Sequence, residues 1–274
     1  MYADTSTQKI TRPITISYLQ RAKEQGEKFT CLTSYDATFA HAMNMAGVEV
    51  ILIGDSLGMV IQGQDSTLPV SIEDMCYHIA AVKRGNTNSL LMADMPFMSY
   101  SKPEKALDNA AKLMQAGANM VKLEGGEWLC DTVRLLSQRG IPVCGHLGLT
   151  PQAVHKLGGY KVQGRGIDAA EKIKQESLAL AEAGADLILY ECIPSALGKD
   201  ITESISIPTI GIGAGIHTDG QVLVMHDMLG VNLGKPARFV KNYLTQGRSI
   251  QEAFESYVEE VKQQKFPTTE HSFE

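Results

Sequence analysis

Ionisable side chains recur where short apolar segments of this sequence end. Five such segments end in, or carry close to their end, the residues Asp55, Asp94, Lys122 with Glu124, His146, and Glu191. In a barrel of parallel strands the functional groups lie at the carboxyl ends of the strands, where the loops open onto one mouth. Since side chains alternate along a strand, Lys122 and Glu124 face the same side. The pattern predicts a cluster of acids and bases in place of scattered surface charges.

The acidic members of this cluster favour a metal site. Carboxylates that converge on one mouth repel one another unless protons or a cation intervene, and oxygen ligands select a hard ion such as Mg²⁺. Asp55 and Asp94 are the better ligand candidates, with Glu124 near or behind them. Zinc is disfavoured, because no His or Cys pair accompanies these carboxylates. Taken singly, Asp55 or Asp94 could equally be a helix cap or a surface residue at a strand end.

The remaining members each have two interpretations. The Lys122 ammonium could meet the carboxylate of a small acid, or it could simply pair with Glu124. Glu191 has apolar neighbours that would desolvate its carboxylate and suit a general base, but it could also cap the helix that follows Pro194. His146 could act as a ligand, an acid or a base, although its spacing alone favours a hydrogen-bonded core histidine.

Strands and helices must alternate along the chain to position these residues. Eight strand candidates are predicted over Phe29–Tyr35, Val48–Gly54, Leu90–Met95, Met120–Leu123, Ile141–His146, Asp186–Glu191, Ile207–Ile212 and Gly220–His226. Helical periodicity lies between them over Ile72–Arg84, Pro103–Ala116, Glu127–Arg139 and Ala169–Ala183. This alternation is typical of parallel strands covered by helices, and the length suits one α/β barrel, a (β/α)₈ TIM barrel.

Composition limits the partners and the compartment. The chain has 274 residues, 44% hydrophobic and 20% charged, with a net charge of −6, so it lacks the basic surface that nucleic acid requires. No 18-residue apolar run or leader is present, which predicts no membrane span and a cytoplasmic protein. Five dispersed cysteines without a CxxC pair agree with a reducing compartment. One domain over residues 1–274 is expected, with an extension over 1–10 and a polar, frayed tail over 265–274.

A glycine-rich segment after the seventh predicted strand, Gly211-Ile-Gly213-Ala-Gly215, invites comparison with dinucleotide-binding loops. It lacks the GxGxxG spacing and comes late in the chain, so it is a weak signal for a nucleotide. In a barrel, glycines at this place could instead let a substrate or phosphate approach the backbone closely.

Several motifs together resemble those of the ketopantoate hydroxymethyltransferase family. They are Val-Ile-Leu-Ile-Gly-Asp55-Ser56-Leu-Gly-Met-Val, Ala-Asp94-Met-Pro-Phe, Val-Lys122-Leu-Glu124-Gly, Gly-His146-Leu-Gly-Leu-Thr-Pro-Gln, Gly-Gly-Tyr-Lys-Val-Gln-Gly-Arg, and Gly-Ile-Gly-Ala-Gly with the segments Asp219-Gly-Gln-Val-Leu-Val and Asp227-Met-Leu-Gly after it. The resemblance runs in order from about Thr11 to about Val261. It implies a barrel of the phosphoenolpyruvate-binding type, a cytoplasmic enzyme of pantothenate biosynthesis, and a large homo-oligomer, usually a decamer.

The resemblance also implies roles for individual residues. Asp55 and Asp94 would bind Mg²⁺, one ion per subunit, with Glu124 completing the metal site. Ser56 and Lys122, together with the metal ligands Asp55 and Asp94, would hold a small 2-oxo acid, 3-methyl-2-oxobutanoate. Glu191 would be the proton acceptor, with His146 in support.

These roles lead to a mechanistic hypothesis. Glu191 would remove the C3 proton of the metal-chelated 2-oxo acid, and the resulting enolate would attack the methylene group of 5,10-methylenetetrahydrofolate. Water would then complete the release of the hydroxymethyl product and tetrahydrofolate. Two alternatives remain open. A Mg²⁺-dependent carbon–carbon lyase would share the chelated 2-oxo acid but need no folate, and a barrel retained as a scaffold would bind no divalent ion.

Overall fold

A closed barrel of parallel strands forms the centre of the molecule. The computed structural model describes residues 12–245 and 247–274. Each strand pairs with its neighbours in chain order, and the eighth closes on the first. The strands are β1 Phe29–Thr33, β2 Val50–Ile53, β3 Leu90–Asp94, β4 Met120–Glu124, β5 Val143–Gly148, β6 Leu187–Glu191, β7 Thr209–Ile212 and β8 Gly220–Leu223. The predicted (β/α)₈ fold is confirmed, and each of the eight predicted ranges overlaps an observed strand, with bounds that differ by a few residues.

Helices cover the outside of this barrel. They are α1 Ile16–Gln25, α2 Ala37–Ala46, α3 Leu57–Val60, α4 Ile72–Gly85, α5 Pro103–Ala116, α6 Cys130–Gln138, α7 Val154–Leu157, α8 Ile167–Ala183, α9 Ser195–Ser204, α10 Met225–Met228 and α11 Ile250–Lys262. Short 3₁₀ helices lie at Glu127–Leu129, Pro151–Ala153 and Thr269–His271. Within residues 12–245 and 247–274, no helix is both long enough and apolar enough to cross a membrane.

Local sequence signals account for several helix ends. Ser71 and Ser249 each begin a helix with a reciprocal capping box, in which Asp74 and Glu252 complete the hydrogen bonds. Gly184 ends α8 with a φ of 104°, in the left-handed region that glycine adopts readily at a helix end. The last predicted strand is too long, since β8 stops at Leu223 and α10 begins two residues later.

The strands are buried on both faces, as expected for a parallel sheet that is filled inside and covered outside. Every residue of β1 to β4 is buried. These strands therefore read as nearly continuous apolar runs, and a polar residue within them must have a partner. Such residues concentrate at the carboxyl ends, which lie at one mouth of the barrel.

The expectation of a frayed tail over residues 265–274 is wrong. Phe266 is buried and packs edge-on against Tyr243 and Tyr257, with ring centroids 5.9 and 6.0 Å apart. The carbonyl of Phe273 accepts a hydrogen bond from the Ser195 amide at 2.8 Å. Two aromatic side chains among polar neighbours supply enough apolar area to hold the tail against the barrel. The predicted extension over residues 1–10 lies outside the described residues.

Candidate active site

The ionisable residues predicted from the strand ends meet around one lysine. The Lys122 Nζ atom lies 2.9 Å from Asp94 Oδ1, 3.1 Å from His146 Nδ1 and 3.9 Å from Glu124 Oε1. On the far side of the imidazole, His146 Nε2 lies 3.4 Å from Glu191 Oε2. A continuous chain of polar contacts therefore runs across four neighbouring strands, from β3 to β6.

Strand register explains why these side chains touch. Asp94 pairs with Lys122 across β3 and β4, and Glu124 pairs with His146 across β4 and β5. Paired residues on neighbouring strands point to the same face of the sheet, here into the barrel. The predicted common orientation of Lys122 and Glu124 follows from the same alternation. A shift of one strand's register by one residue would turn the ionisable side chains of that strand away from the barrel interior.

His146 is buried, as a core histidine would be, yet both of its nitrogens face ionisable groups. Its Nδ1 atom lies 3.1 Å from Lys122 Nζ and 3.4 Å from Glu124 Oε1, and the two contacts compete. A neutral ring accepts a hydrogen bond from the ammonium at Nδ1, whereas a protonated ring donates to the carboxylate. Burial and Lys122 lower the pKa of His146, but Glu124 and Glu191 outweigh them, so that the pKa is raised.

Burial and mutual repulsion perturb the acidic groups. Burial, followed by the charges of Asp94 and Glu124, raises the pKa of Asp55 well above its usual range. Burial also acts to raise the pKa of Glu124, but His146 and Lys122 together lower it. The same carboxylates raise the pKa of Lys122 despite its burial. The mouth thus holds an excess of acidic groups over the one permanent cation.

The donor set suits a hard divalent cation held by two carboxylates. Asp55 and Asp94 lie close together, since the Asp55 amide donates to Asp94 Oδ2 at 3.0 Å. Asp94 Oδ1 is buried and has no aligned hydrogen-bond donor among the described residues, although Lys122 Nζ is near. Mg²⁺ is commonly bound by one or two carboxylates, with waters and substrate oxygens filling its octahedron. The buried Asp94 Oδ1, which lies beside Asp55 and faces the Lys122 ammonium, fits that role.

Both oxygens of the Glu124 carboxylate face groups of the protein. Its Oε2 atom accepts a hydrogen bond from the Gln152 amide at 2.9 Å, and its Oε1 atom faces His146. Among residues 12–245 and 247–274, no group of three or more His, Cys, Asp and Glu residues is arranged to hold a metal ion. Glu124 therefore lies at the same mouth as the two aspartates, with its oxygens engaged by Gln152 and His146.

Ser56 also lies at this mouth, and a tyrosine that sequence reasoning did not select contacts it. The hydroxyl groups of Ser56 and Tyr35 are 2.8 Å apart. Tyr35 follows β1 by two residues and is fully buried, and burial raises its pKa above its usual range. In the sequence it was the last residue of the predicted strand Phe29–Tyr35, but an uncharged residue there has no feature that separates it from the core.

Gln152 is a second residue that the sequence did not single out. Its side chain is buried and donates to Asp55 Oδ2 at 2.8 Å, while its backbone amide donates to Glu124. It comes after β5, at the end of the motif that begins with Gly145 and His146. Only the path of the loop brings it over the carboxylates of β2 and β4.

The glycine-rich segment after β7 packs against the protein itself. A side chain at Gly215 would meet Ser195 Oγ at 2.0 Å, and Gly215 has a φ of +81°. One at Gly213 would meet the rings of Phe239 and Phe273 at 2.9 Å. These glycines are required because α9 and the C-terminal tail approach the backbone closely. The expectation that they admit a substrate or phosphate is replaced by this packing role.

Comparison of the sequence with known proteins identifies relatives with a named activity. The model of a family described as ketopantoate hydroxymethyltransferase matches residues 13–269. A relative from Marinomonas sp. (strain MWYL1), named 3-methyl-2-oxobutanoate hydroxymethyltransferase, is 71% identical over 273 residues, covering 100% of this chain and 99% of the relative.

Solved structures at much lower identity share the barrel. A phosphonopyruvate hydrolase in complex with oxalate and Mg²⁺ has a TM-score of 0.59 at 15% identity, covering 76% of this chain and 80% of the other. A 2,3-dimethylmalate lyase of the phosphoenolpyruvate mutase/isocitrate lyase superfamily has a TM-score of 0.57 at 17% identity, with coverages of 76% and 80%. At these identities the likeness shows the fold alone.

Proposed function

This chain belongs to the ketopantoate hydroxymethyltransferase family, and on that basis we propose how the residues of its mouth share the reaction. The activity is hydroxymethyl transfer to 3-methyl-2-oxobutanoate, which gives ketopantoate for pantothenate biosynthesis. A carbon–carbon lyase is the weaker alternative, because the solved lyase structure that resembles this chain is only 17% identical to it. We further propose that 5,10-methylenetetrahydrofolate supplies the one-carbon unit.

The observation that carries the assignment of roles is the line of contacts from Asp94 through Lys122 and His146 to Glu191. At one end it places a buried cation among carboxylates, and at the other a carboxylate that is open to the mouth. The Glu191 side chain is 16% exposed, against 2–5% for the other three. A small anionic substrate seated over Lys122 would therefore meet its charge on one side and a base on the other.

Asp55 and Asp94 would hold one Mg²⁺, with Glu124 completing its surroundings. Two observations support this. Burial, together with the charges of Asp94 and Glu124, raises the pKa of Asp55, and among the described residues the buried Asp94 Oδ1 has no aligned hydrogen-bond donor besides the nearby Lys122 ammonium. When bound, the cation would polarise the keto group of the 2-oxo acid and make its C3 proton more acidic. The choice of Mg²⁺ over a softer metal rests on the oxygen-only ligands.

Lys122 and Ser56 would orient the 2-oxo acid, together with the two aspartates. The Lys122 ammonium faces the mouth as a point charge and suits the substrate carboxylate. The Ser56 hydroxyl is held by Tyr35 and can turn one hydrogen bond toward the substrate. Both groups are fixed before the substrate arrives, which lowers the ordering cost of binding.

Glu191 would accept the C3 proton. Its carboxylate is close enough to His146 for the imidazole to stabilise it by a hydrogen bond from Nε2. That nitrogen has no other hydrogen-bond partner among the described residues, so it is available to Glu191 or to a developing oxyanion. His146 therefore supports the base, and Glu191 contacts the reacting atom.

The proposal extends to assembly and location. A homo-oligomer, with a decamer as the specific expectation, is proposed from membership of this family. Five cysteines without disulfides agree with a cytoplasmic enzyme. Light scattering of the purified protein would measure the assembly, and a monomer at micromolar concentration would contradict it.

The function is tested by following the C3 proton of 3-methyl-2-oxobutanoate by NMR in D₂O. Exchange that requires Mg²⁺, followed by ketopantoate once methylenetetrahydrofolate is added, is the expected result. Cleavage of a 2-oxo acid substrate without folate would favour the lyase. Absence of exchange under every condition would remove the proton-abstraction mechanism.

A further inference from the structure

Gln152 occupies a position that links three strand ends at the mouth. Its side-chain nitrogen Nε2 donates to Asp55 Oδ2 at 2.8 Å and to the Met95 carbonyl at 3.0 Å. Its backbone amide donates to Glu124 Oε2 at 2.9 Å. These acceptors belong to the segments at the ends of β2, β3 and β4, so one residue of the β5 loop contacts two of the three carboxylates in the proposed metal site.

The orientation of the Gln152 amide is dictated by its neighbours. The Tyr100 hydroxyl donates to Gln152 Oε1, and Asp55 and Met95 offer only acceptors on the other side. If the amide were reversed, its oxygen would face a carboxylate and a carbonyl, and both contacts would become repulsive. Both amide hydrogens and the carbonyl oxygen are therefore used in one arrangement.

We propose that Gln152 is a positioning residue that fixes the Asp55 and Glu124 carboxylates in the orientation used to bind the cation and the 2-oxo acid. By occupying Asp55 Oδ2, the amide directs the other oxygen, Oδ1, toward the ligand. The idea rests on the proposed metal site, to which it adds a residue. Neutral amide donors suit this task, since they hold a carboxylate without competing with the ion for charge.

The loop that carries Gln152 is itself held in place. The Leu149 amide donates to the Glu191 carbonyl at 2.8 Å, just beyond β5. Pro151 then begins the 3₁₀ helix that contains Gln152, and its ring removes one backbone freedom. A rigid support is what a positioning residue requires, because the carboxylate it holds can be no better fixed than its partner.

The test uses Gln152→Met, which keeps the length of the side chain and removes both donors. Mn²⁺ is the probe, because it prefers the same oxygen ligands and can be titrated against the protein by electron paramagnetic resonance without any turnover. The expected result is a Mn²⁺ affinity about 10- to 100-fold weaker than in the wild type. Gln20→Met is the matched control. It removes one hydrogen bond, which the Gln20 side-chain amide donates to the Ser206 carbonyl at 2.9 Å, at the opposite end of the barrel.

A purely structural role predicts a different result. In that case Gln152→Met would lower the melting temperature while folded protein bound Mn²⁺ as tightly as the wild type, and the proposal would be overturned. If Gln152→Met does not fold, Gln152→Asn keeps an amide but shortens its reach by one methylene. It is expected to weaken Mn²⁺ binding in the same way, and undiminished binding would again overturn the proposal.

A wild-type protein that binds no Mn²⁺ would count against the metal site, not against the positioning role. The crystal structure of Gln152→Met then decides. A rotated Asp55 carboxylate supports the role, and an Asp55 that keeps its wild-type rotamer overturns it.

Discussion

Replacement of Glu191 by glutamine separates proton abstraction from substrate binding. The amide has the shape of the carboxylate but no basic oxygen at neutral pH, and the site of the change is the most exposed end of the polar chain, at 16%. The protein should therefore fold normally. What is lost is the proton acceptor and the anionic partner that lies 3.4 Å from His146 Nε2.

The size of the effect follows from this geometry. A positioned general base contributes about 10²- to 10⁴-fold to a rate, so C3 exchange should fall by that factor. This corresponds to about 3–5 kcal/mol in the activation barrier. The described residues show no hydrogen bond or ion pair between Glu191 and Asp55 or Asp94, so Mn²⁺ affinity should change by no more than about twofold.

The assay is NMR-detected deuterium exchange at C3 of 3-methyl-2-oxobutanoate, with saturating Mg²⁺. Glu203→Gln on α9 is the matched control, since its carboxylate is 68% exposed and pairs loosely with Lys199 at 4.0 Å. It should exchange at the wild-type rate. If Glu191→Gln also exchanges at that rate, Glu191 is not the base. A loss of exchange in His146→Asn alone would then move the role to the imidazole.

Three further outcomes are expected. Asp94→Ala should weaken Mn²⁺ and 2-oxo acid binding together, each by at least about tenfold, because the chelate loses a ligand; unchanged calorimetric affinity for either would contradict the assignment. Ser249→Ala removes the cap of α11 and should cost about 1 kcal/mol, a fall of roughly 2–4 °C in melting temperature, and an unchanged melting temperature would show that the cap adds nothing. Gly215→Ala combines a left-handed φ with a clash against Ser195 and should cost about 2 kcal/mol or more; a melting temperature equal to the wild type would show that α9 can move aside.

The strand ends were predictable because the relevant rules are local. An apolar run followed by a polar residue marks both a strand and its carboxyl end, and alternation of side chains then predicts that Lys122 and Glu124 share a face. The helix over Pro103–Ala116 has the predicted bounds for a similar reason, since a proline begins it and a glycine follows it. Fold and candidate residues therefore followed from patterns within about ten neighbouring positions.

Loop paths and long-range packing were not predictable in this way. Gln152 and Tyr35 are uncharged, and nothing about their position in the sequence shows that they touch Asp55 and Ser56. The polar composition of the tail predicted fraying, but Phe266 and Phe273 in the tail pack against the rest of the protein. The composition of a segment averages the properties of its residues, whereas packing depends on which side chains each residue contacts in the folded protein.

By itself the sequence determined the barrel, the residues that its mouth carries and, through family membership, the reaction. The tertiary structure decided which of those residues touch: it centred the cluster on Lys122, placed Glu124 against His146 and brought Gln152 into contact with Asp55 and Glu124. The physical reason is that the alternation of side chains along a strand depends only on consecutive residues. Contacts between strands depend on register and loop geometry, which arise only when the eight strands close.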